Sequence, residues 1–256
     1  MANLDIVNNL KLIGDYHTHT IYSSSKIYKH GKGRIIENAK RARELGISEI
    51  AITDHGPAHR FYGIKISELP KIRKDIEEAN KIIQDIKIHL SVEANIIDTP
   101  SGIDIEEKDI DKFDYLTAGY HLGCESGQTM KNIISYGRFM PRGRYERLRS
   151  NNTNMVIRAL YQNDIRVLTH PFDKAPFYKD EIVKACEENH TLIEINNRHN
   201  NLTVDDIYEI AKYNIKFIIS SDAHRPREVG KVGLAIDKVL KSGLEISRVV
   251  NLERRS

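Results

Sequence analysis

The chain has 256 residues, 40% hydrophobic and 29% charged, which allows a sizeable core and argues against a disordered chain. A formal net charge of +3 gives no electrostatic argument for a nucleic-acid partner. Two distant cysteines, Cys124 and Cys186, form no CxxC pair, so no disulfide framework is expected and a cytoplasmic chain is the simplest reading.

The first residues lack a charged-then-apolar leader, and no apolar run reaches about 18 residues, so neither a signal peptide nor a membrane span is expected. Short β-branched runs then alternate with amphipathic stretches. Leu12 to Tyr16 reads as a first strand, and Arg34 to Leu45 as a helix closed by Gly46. Glu49 to Thr53 is a second strand. Ser67 can cap a long helix that carries Ile72, Ile76, Ala79, Ile82 and Ile83 on one face.

Ile88 to Ala94 and Tyr115 to Gly119 read as the third and fourth strands. Helix is expected over Asn152 to Gln162, before a fifth strand from Arg166 to Thr169. Glu181 to Asn189 is helical and precedes a sixth strand, Thr191 to Ile195. Thr203 caps a helix reaching Tyr213, Lys216 to Ser220 is the seventh strand, and a last helix covers Val232 to Lys241.

Seven alternating units without a Pro/Gly linker predict an α/β fold with a parallel sheet. The expectation is one barrel domain over 1–256, a closed or nearly closed seven-stranded TIM-like barrel, with an open doubly wound sheet as the alternative. No GxGxxG or P-loop supports a nucleotide-binding version of that alternative. One stretch breaks the rhythm. The insertion at about 122–151 carries Lys131, Arg138, Arg142, Arg144, Arg147 and Arg149, with Tyr136, Phe139 and Tyr145 interleaved.

The predicted strands end in metal-ligand residue types. The first exits into His17 and His19, the second into Asp54 and His55, and the third ends on Glu93. The fourth exits into His121, the fifth into His170, the sixth into Asn196, Asn197 and Arg198, and the seventh into Asp222 and His224. Windows of about four residues after seven strands cover roughly a tenth of the chain, so chance would put about one of the 11 histidines there. Six occupy them. Any one alone reads as a hydrogen-bonded structural histidine; six on one rim read as a metal site.

Imidazole with carboxylate and no thiolate suits Zn, Mn or Fe. The donors outnumber what one ion takes, so two to three ions are expected, with Glu93 the best-placed bridging carboxylate. His17 and His19, two positions apart on a strand, face the same side and can clasp one ion.

The motifs DYHTHTIYS at 15–23, ITDHG at 52–56, VEANI at 92–96, GYH at 119–121, THP at 169–171, EIN at 194–196 and SDAHRP at 221–226 follow one another along nearly the whole chain. In this order they resemble the PHP family, named for polymerase and histidinol phosphatase. The resemblance implies a distorted seven-stranded α/β barrel with three metal ions. It implies one ion on His17, His19, Glu93 and Asp222, a second on Glu93, His121 and His170, and a third on His55, His224 and one more histidine. Some relatives carry that histidine eight residues after the first histidine of HxH, where this chain has Ser25. His30 is the substitute from a longer loop, or else an exposed loop residue.

Asp15 and Asp54 adjoin ligands and could orient imidazoles, though Asp54 could equally cap a turn. His59, His89 and His190 read as surface or structural residues, and His199 is left open. The implied chemistry is a metal-dependent phosphoesterase, with Glu93 and Asp222 in the catalytic role and a metal-bridging hydroxide attacking phosphorus in line. Arg198 and Arg225 are the candidates for holding the phosphate. The favoured substrate is a small phosphomonoester such as histidinol phosphate or a sugar phosphate.

A nuclease or phosphodiesterase and a non-catalytic metal-stabilised module are the alternatives. The basic insertion reads best as a lid over an anionic substrate, then as a solvated helix or a single-strand contact.

Overall fold

The computed structural model describes residues 9–25, 28–124, 126–135 and 141–255. Seven parallel strands run in the order β2 (Gly14–Thr18), β3 (Glu49–Ile52), β4 (Lys87–Asn95), β5 (Tyr115–Gly119), β6 (Ile165–Leu168), β7 (Leu192–Asn196) and β8 (Phe217–Ser220). The ring is closed just past the strand ends, where Thr18 bridges Ala223 in parallel and the His19 amide donates to the Ala223 carbonyl at 2.7 Å. The fold is thus the nearly closed seven-stranded α/β barrel that the alternating pattern predicts.

A second, two-stranded antiparallel sheet pairs β1 (Leu10–Leu12) with β9 (Leu252–Arg254). Sequence periodicity gave no sign of it, because three-residue strands are too short to show a period. Buried Asn251 ties it to the barrel, donating to the carbonyls of Gly14 and Ile219 and accepting from the Ile219 amide.

Strand β4 illustrates how the sequence separates core from site. Ile88, Leu90, Val92 and Ala94 share one face, and His89, Ser91, Glu93 and Asn95 the other. The apolar face joins the main core with Ile72, Ile76 and Ala79 of the helix Leu69–Ile82. Burying each such large aliphatic side chain contributes about 1.5–3 kcal/mol. A smaller cluster, Tyr16, Ala51, Val167 and Ile218, is separate from it. Along β4 the polar face carries Glu93 and Asn95 at the strand's end, the end at which a parallel barrel presents its chemistry.

Several boundaries differ from the sequence pattern. Ser67 does not cap a helix; Ile66–Glu68 is a 3-10 turn and the helix starts at Leu69, with Pro70 in its first turn, where a missing N–H costs nothing. The helix expected from Asn152 spans Arg142–Gln162, so the last third of the basic insertion is its first turns. A further helix, Gly127–Ser135, precedes it. Buried Asn132 and Asn152 hydrogen-bond each other and hold the two together. The helix after Thr203 ends at Ile210, with Thr203 and Asp206 forming a capping box. Tyr136, Arg138 and Phe139 lie outside the described residues.

Candidate metal centre

All nine predicted ligands come together at the ends of the strands. In a first group, Nε2 of His17 and Nε2 of His19 are 3.1 Å apart. Glu93 Oε2 lies 3.4 Å and 3.7 Å from them, and Asp222 Oδ1 3.8 Å and 3.4 Å. In a second group, Nε2 of His121 and His170 are 3.3 Å apart and 3.3 Å and 2.8 Å from Glu93 Oε1. In a third, Nε2 of His30 is 3.2 Å from Nε2 of His55 and 2.6 Å from Nε2 of His224. These spacings are those of donors around a shared ion, since ligands about 2.1 Å from a tetrahedral metal stand roughly 3.4 Å apart.

The groups are contiguous. Ligand atoms of His19, His55 and His224 also lie within 4.8 Å of one another, as do those of His55, Glu93 and His121. Glu93 connects the first two groups, one carboxylate oxygen to each. His30, five positions beyond Ser25, fills the third group from its loop.

The residues fit cations on two counts. Glu93 Oε2 is buried without a hydrogen-bond partner among the described residues, a costly arrangement for a carboxylate unless a positive charge offsets it. The ring nitrogens are also fixed by what lies behind them. Nδ1 of His121 donates to Asn95 Oδ1 and Nδ1 of His224 to the Asp222 carbonyl, both at 2.8 Å, so in each neutral ring Nε2 offers a lone pair to its group.

The electrostatics follow from burial and from the shared carboxylate. Burial lowers the pKa of His30 to about 2 and of His121 and His224 to about 3, holding these rings neutral. Burial would also lower His17, but Glu93, Glu194 and Asp222 outweigh it and hold it well above its ordinary value. Without a metal that ring carries a proton that an ion must displace. Burial would raise Glu93 and Asp222, and the surrounding imidazoles hold both well below the usual carboxylate range instead.

Two ligand residues have left-handed backbones, His170 at φ 27° and Asp222 at φ 54°. Non-glycine residues there cost on the order of 1–3 kcal/mol and persist where the surroundings over-determine them. Both lie two residues past the ends of β6 and β8, where the chain turns to aim a ligand inward.

A family model for the PHP domain matches residues 15–198. The chain belongs to the PHP domain family. It is 28% identical over 258 residues to a protein of Thermoanaerobacter named "Probable phosphatase", covering 95% of this chain and 92% of that one. The hisK protein of Listeria monocytogenes has a similar fold, with a TM-score of 0.63 at 16% identity over 85% of this chain and 97% of that one. Histidinol phosphate phosphatase of Lactococcus lactis, solved with zinc, L-histidinol and phosphate, gives 0.57 at 14% identity, covering 91% and 94%.

In this PHP domain the residues behind the ligands are mostly ones the strand-end windows did not include. Glu194 accepts from His17 Nδ1 at 2.7 Å and from the His170 amide at 2.6 Å. Asn196 donates to Glu194 and Asp222. Asp104 accepts from the Asn95 amide and side chain, fixing the oxygen that holds His121. Thr169 donates to Glu93 Oε1 at 2.7 Å. Alternation would have found two of them, because Asn95 shares a strand face with Glu93, and Glu194 shares one with Asn196. Asp104 lies in a loop and left no pattern.

Asp15 and Asp54 orient loops rather than rings. Asp54 accepts from the amide and hydroxyl of Thr20, and Asp15 from the amide and hydroxyl of Ser221 and from the Gly230 amide. His59 and His89 are both buried: His59 stacks on Tyr62 at 3.6 Å, and His89 pairs with Glu49 at 2.9 Å. His190 is exposed just past the helix Lys179–Glu188.

His199 joins the site: its Nδ1 is 2.7 Å from Asp173 and its Nε2 3.3 Å from Asp222. Burial would lower its pKa, but hydrogen bonds to the two carboxylates raise it to about 9.

A cleft of about 670 Å³ adjoins the third group, lined by His30 and His224 together with Lys29, Lys32, Arg198 and Arg225. The two arginines expected to hold phosphate thus share one cavity, and two lysines that sequence reasoning missed join them. Arg198 is half-exposed and 3.5 Å from Glu228. In the insertion, Lys131, Arg142, Arg144 and Arg147 are exposed, while Arg149 packs over the Tyr178 ring and donates to the Phe177 carbonyl. No helix among the described residues is long and apolar enough to cross a membrane.

Proposed function

We propose that this PHP chain is a metal-dependent phosphatase that hydrolyses a small phosphomonoester. The observation that carries the reading is Glu93, whose two oxygens face two groups of imidazoles beside a cleft lined by four cationic side chains. His17, His19, Glu93 and Asp222 would hold one ion, Glu93, His121 and His170 a second, and His30, His55 and His224 a third. Divalent ions held there lower the pKa of a bound water and offset the charge of phosphoryl oxygens.

The chain's own groups do the rest. Lys29, Lys32, Arg198 and Arg225 attract the phosphate dianion and orient it. Glu93 and Asp222, the two carboxylates among the ligands, are the groups we assign to the reaction itself. Glu194, Asn95 and Thr169 keep the ligand atoms in place. The zinc, histidinol and phosphate of the Lactococcus lactis relative support zinc and a small phosphorylated substrate; Mn and Fe suit the same donors.

The test is hydrolysis by metal-loaded protein of a panel of phosphorylated metabolites, including histidinol phosphate and sugar phosphates, beside phosphodiesters and single-stranded DNA. Monoesters should be turned over fastest. Preference for diesters or DNA would replace the reading with a phosphodiesterase. Less than one equivalent of bound transition metal, with stability indifferent to chelator, would overturn the metal assignment.

A further inference from the structure

Eight of the nine ligand residues lie in a strand or within four residues of a strand's end. His30 does not; it stands twelve residues past Thr18, in the loop after β2. Its main chain is fixed all the same. Ser24 pairs with Lys29, the Gly31 amide donates to the Ser23 carbonyl at 3.1 Å, and the Lys32 amide donates to the His224 carbonyl at 2.8 Å. A Cβ on Gly31 would strike the Thr20 carbonyl, so the loop beside His30 lies close against the chain leaving β2.

These backbone contacts do not set the angle of the His30 ring about its side-chain bonds. Three other rings of the centre are oriented from behind by a hydrogen bond, His17 to Glu194, His121 to Asn95 and His224 to the Asp222 carbonyl. His30 is oriented by a face. The Tyr62 ring lies on it with centroids 3.8 Å apart and planes 1° from parallel. Tyr62 also stacks on His59, at 3.6 Å and 23°. Two rings so close and so nearly parallel to a third have to take its opposite faces, so Tyr62 is held between the two imidazoles.

The far side of this pile is backbone. His59 is buried, and a Cβ on Gly123 would stand 2.3 Å from its Nε2. The turn that carries both rings is tied down. The Gly63 amide donates to the His59 carbonyl at 3.0 Å, the Arg60 amide to the Gly123 carbonyl at 3.1 Å and the Ala58 amide to Asp104 at 2.8 Å. Gly123, His59, Tyr62 and His30 thus form a stack anchored on main chain at one end and finished by a ligand ring at the other.

We propose that Tyr62 is a positioning residue for the third ion. Its ring face fixes the imidazole plane of His30, so that Nε2 points to the place shared with His55 and His224. A ring held flat beforehand loses less rotamer freedom when it takes a metal than one free to swing. Tyr62 does for a loop ligand what Glu194 and Asn95 do for ligands at strand ends. This rests on the reading of His30, His55 and His224 as a third ligand group.

The test titrates metal-free wild type, Tyr62→Leu, Tyr62→Phe, His59→Leu and His30→Ala with zinc against a chromogenic chelator. A second titration uses cobalt(II), whose visible spectrum reports coordination geometry. Wild type should take up three ions, and the one that His30→Ala loses is the third. Tyr62→Leu should bind that ion about tenfold more weakly, the scale of losing a group that orients a ligand. The other two should stay within about twofold. His59→Leu removes the plate behind Tyr62 and should lose about threefold. Tyr62→Phe keeps the ring face and should match wild type in affinity and in cobalt spectrum.

Third-ion affinity and spectrum equal to wild type in both leucine variants would overturn the positioning role and leave the metal centre standing. A loss shared by all three ions would mean general loosening and overturn it as well. A loss in Tyr62→Phe as large as in Tyr62→Leu would give the role to the hydroxyl and overturn the stack. Two ions in wild type, with neither lost in His30→Ala, would overturn the third group and Tyr62 with it. The expected affinities, in a protein that hydrolyses no phosphomonoester, would support the role of Tyr62 and overturn the activity alone.

Discussion

The Glu194 carboxylate holds two ligand residues at once, Nδ1 of His17 at 2.7 Å through one oxygen and the amide of His170 at 2.6 Å through the other. An amide at this position keeps only one acceptor oxygen. Glu194→Gln should therefore leave the protein folded and weaken metal binding about 10–100-fold. Titration of the metal-free variant against a chromogenic chelator measures this, and an affinity equal to wild type would show that Glu194 does not tune the ligands.

Removing Glu93 takes away the one side chain common to two ligand groups. Glu93→Ala should lose at least about one equivalent of bound metal and cut aryl phosphate hydrolysis to below roughly 1%. Metal content and turnover are read on the same preparation. Retained activity would rule out the bridging role.

The ligand set was legible in the sequence because catalytic barrels place ligands just past strand ends, and a strand end can be located by its β-branched run. His17, His55, His121, His170, Asp222 and His224 all follow such runs. His30 was harder, since loop length sets its position and no periodicity describes a loop. Glu194 and Asn95 were visible only as face-mates of residues already chosen. Asp104, Lys29 and Lys32 reach the site through loop paths that no local pattern encodes. The helix Arg142–Gln162 was read as starting ten residues late, because its exposed, arginine-rich first turns bury almost nothing and so carry no apolar stripe.

Gly119, at the end of β5, leaves no room for a side chain beside the ligand residues. A Cβ there would stand 2.4 Å from Thr169 Oγ1 and 2.9 Å from Glu93 Oε1. Gly119→Ala should push Glu93 off the second group and lower kcat/KM about 100-fold, the scale of an ångström of misplacement. Thermal unfolding of the metal-free variant should change far less than activity does. Activity within twofold of wild type would mean that Glu93 has more room than the structure gives it.

The metal-free protein should be most stable near neutral pH. His121 and His224, each lowered by burial to about 3, are depressed below the unfolded value of about 6.5. Their contribution is complete above about 6.5 and is lost as the pH falls towards about 3. His199 acts oppositely. Raised to about 9 against the opposing effect of burial, it contributes fully below about 6.5 and loses that contribution as the pH rises through about 9. Urea midpoints of chelated protein should fall on both sides of neutrality, and His199→Asn should flatten the alkaline side alone. An unchanged alkaline slope in that variant would remove His199 from the account.

The barrel's join runs through the candidate centre. His17 comes from the first strand of the ring, His19 from just past its end and Asp222 from the turn after the last, and the His19 amide closes the circle on Ala223. Beside them, Asp15 secures Ser221 across 206 positions of chain. An ion shared by His17 and Asp222 would be a rivet placed where the hoop meets itself. A chain whose last strand has not yet docked offers that ion only part of its cage, so uptake of the first metal would mark the moment at which the molecule is finished.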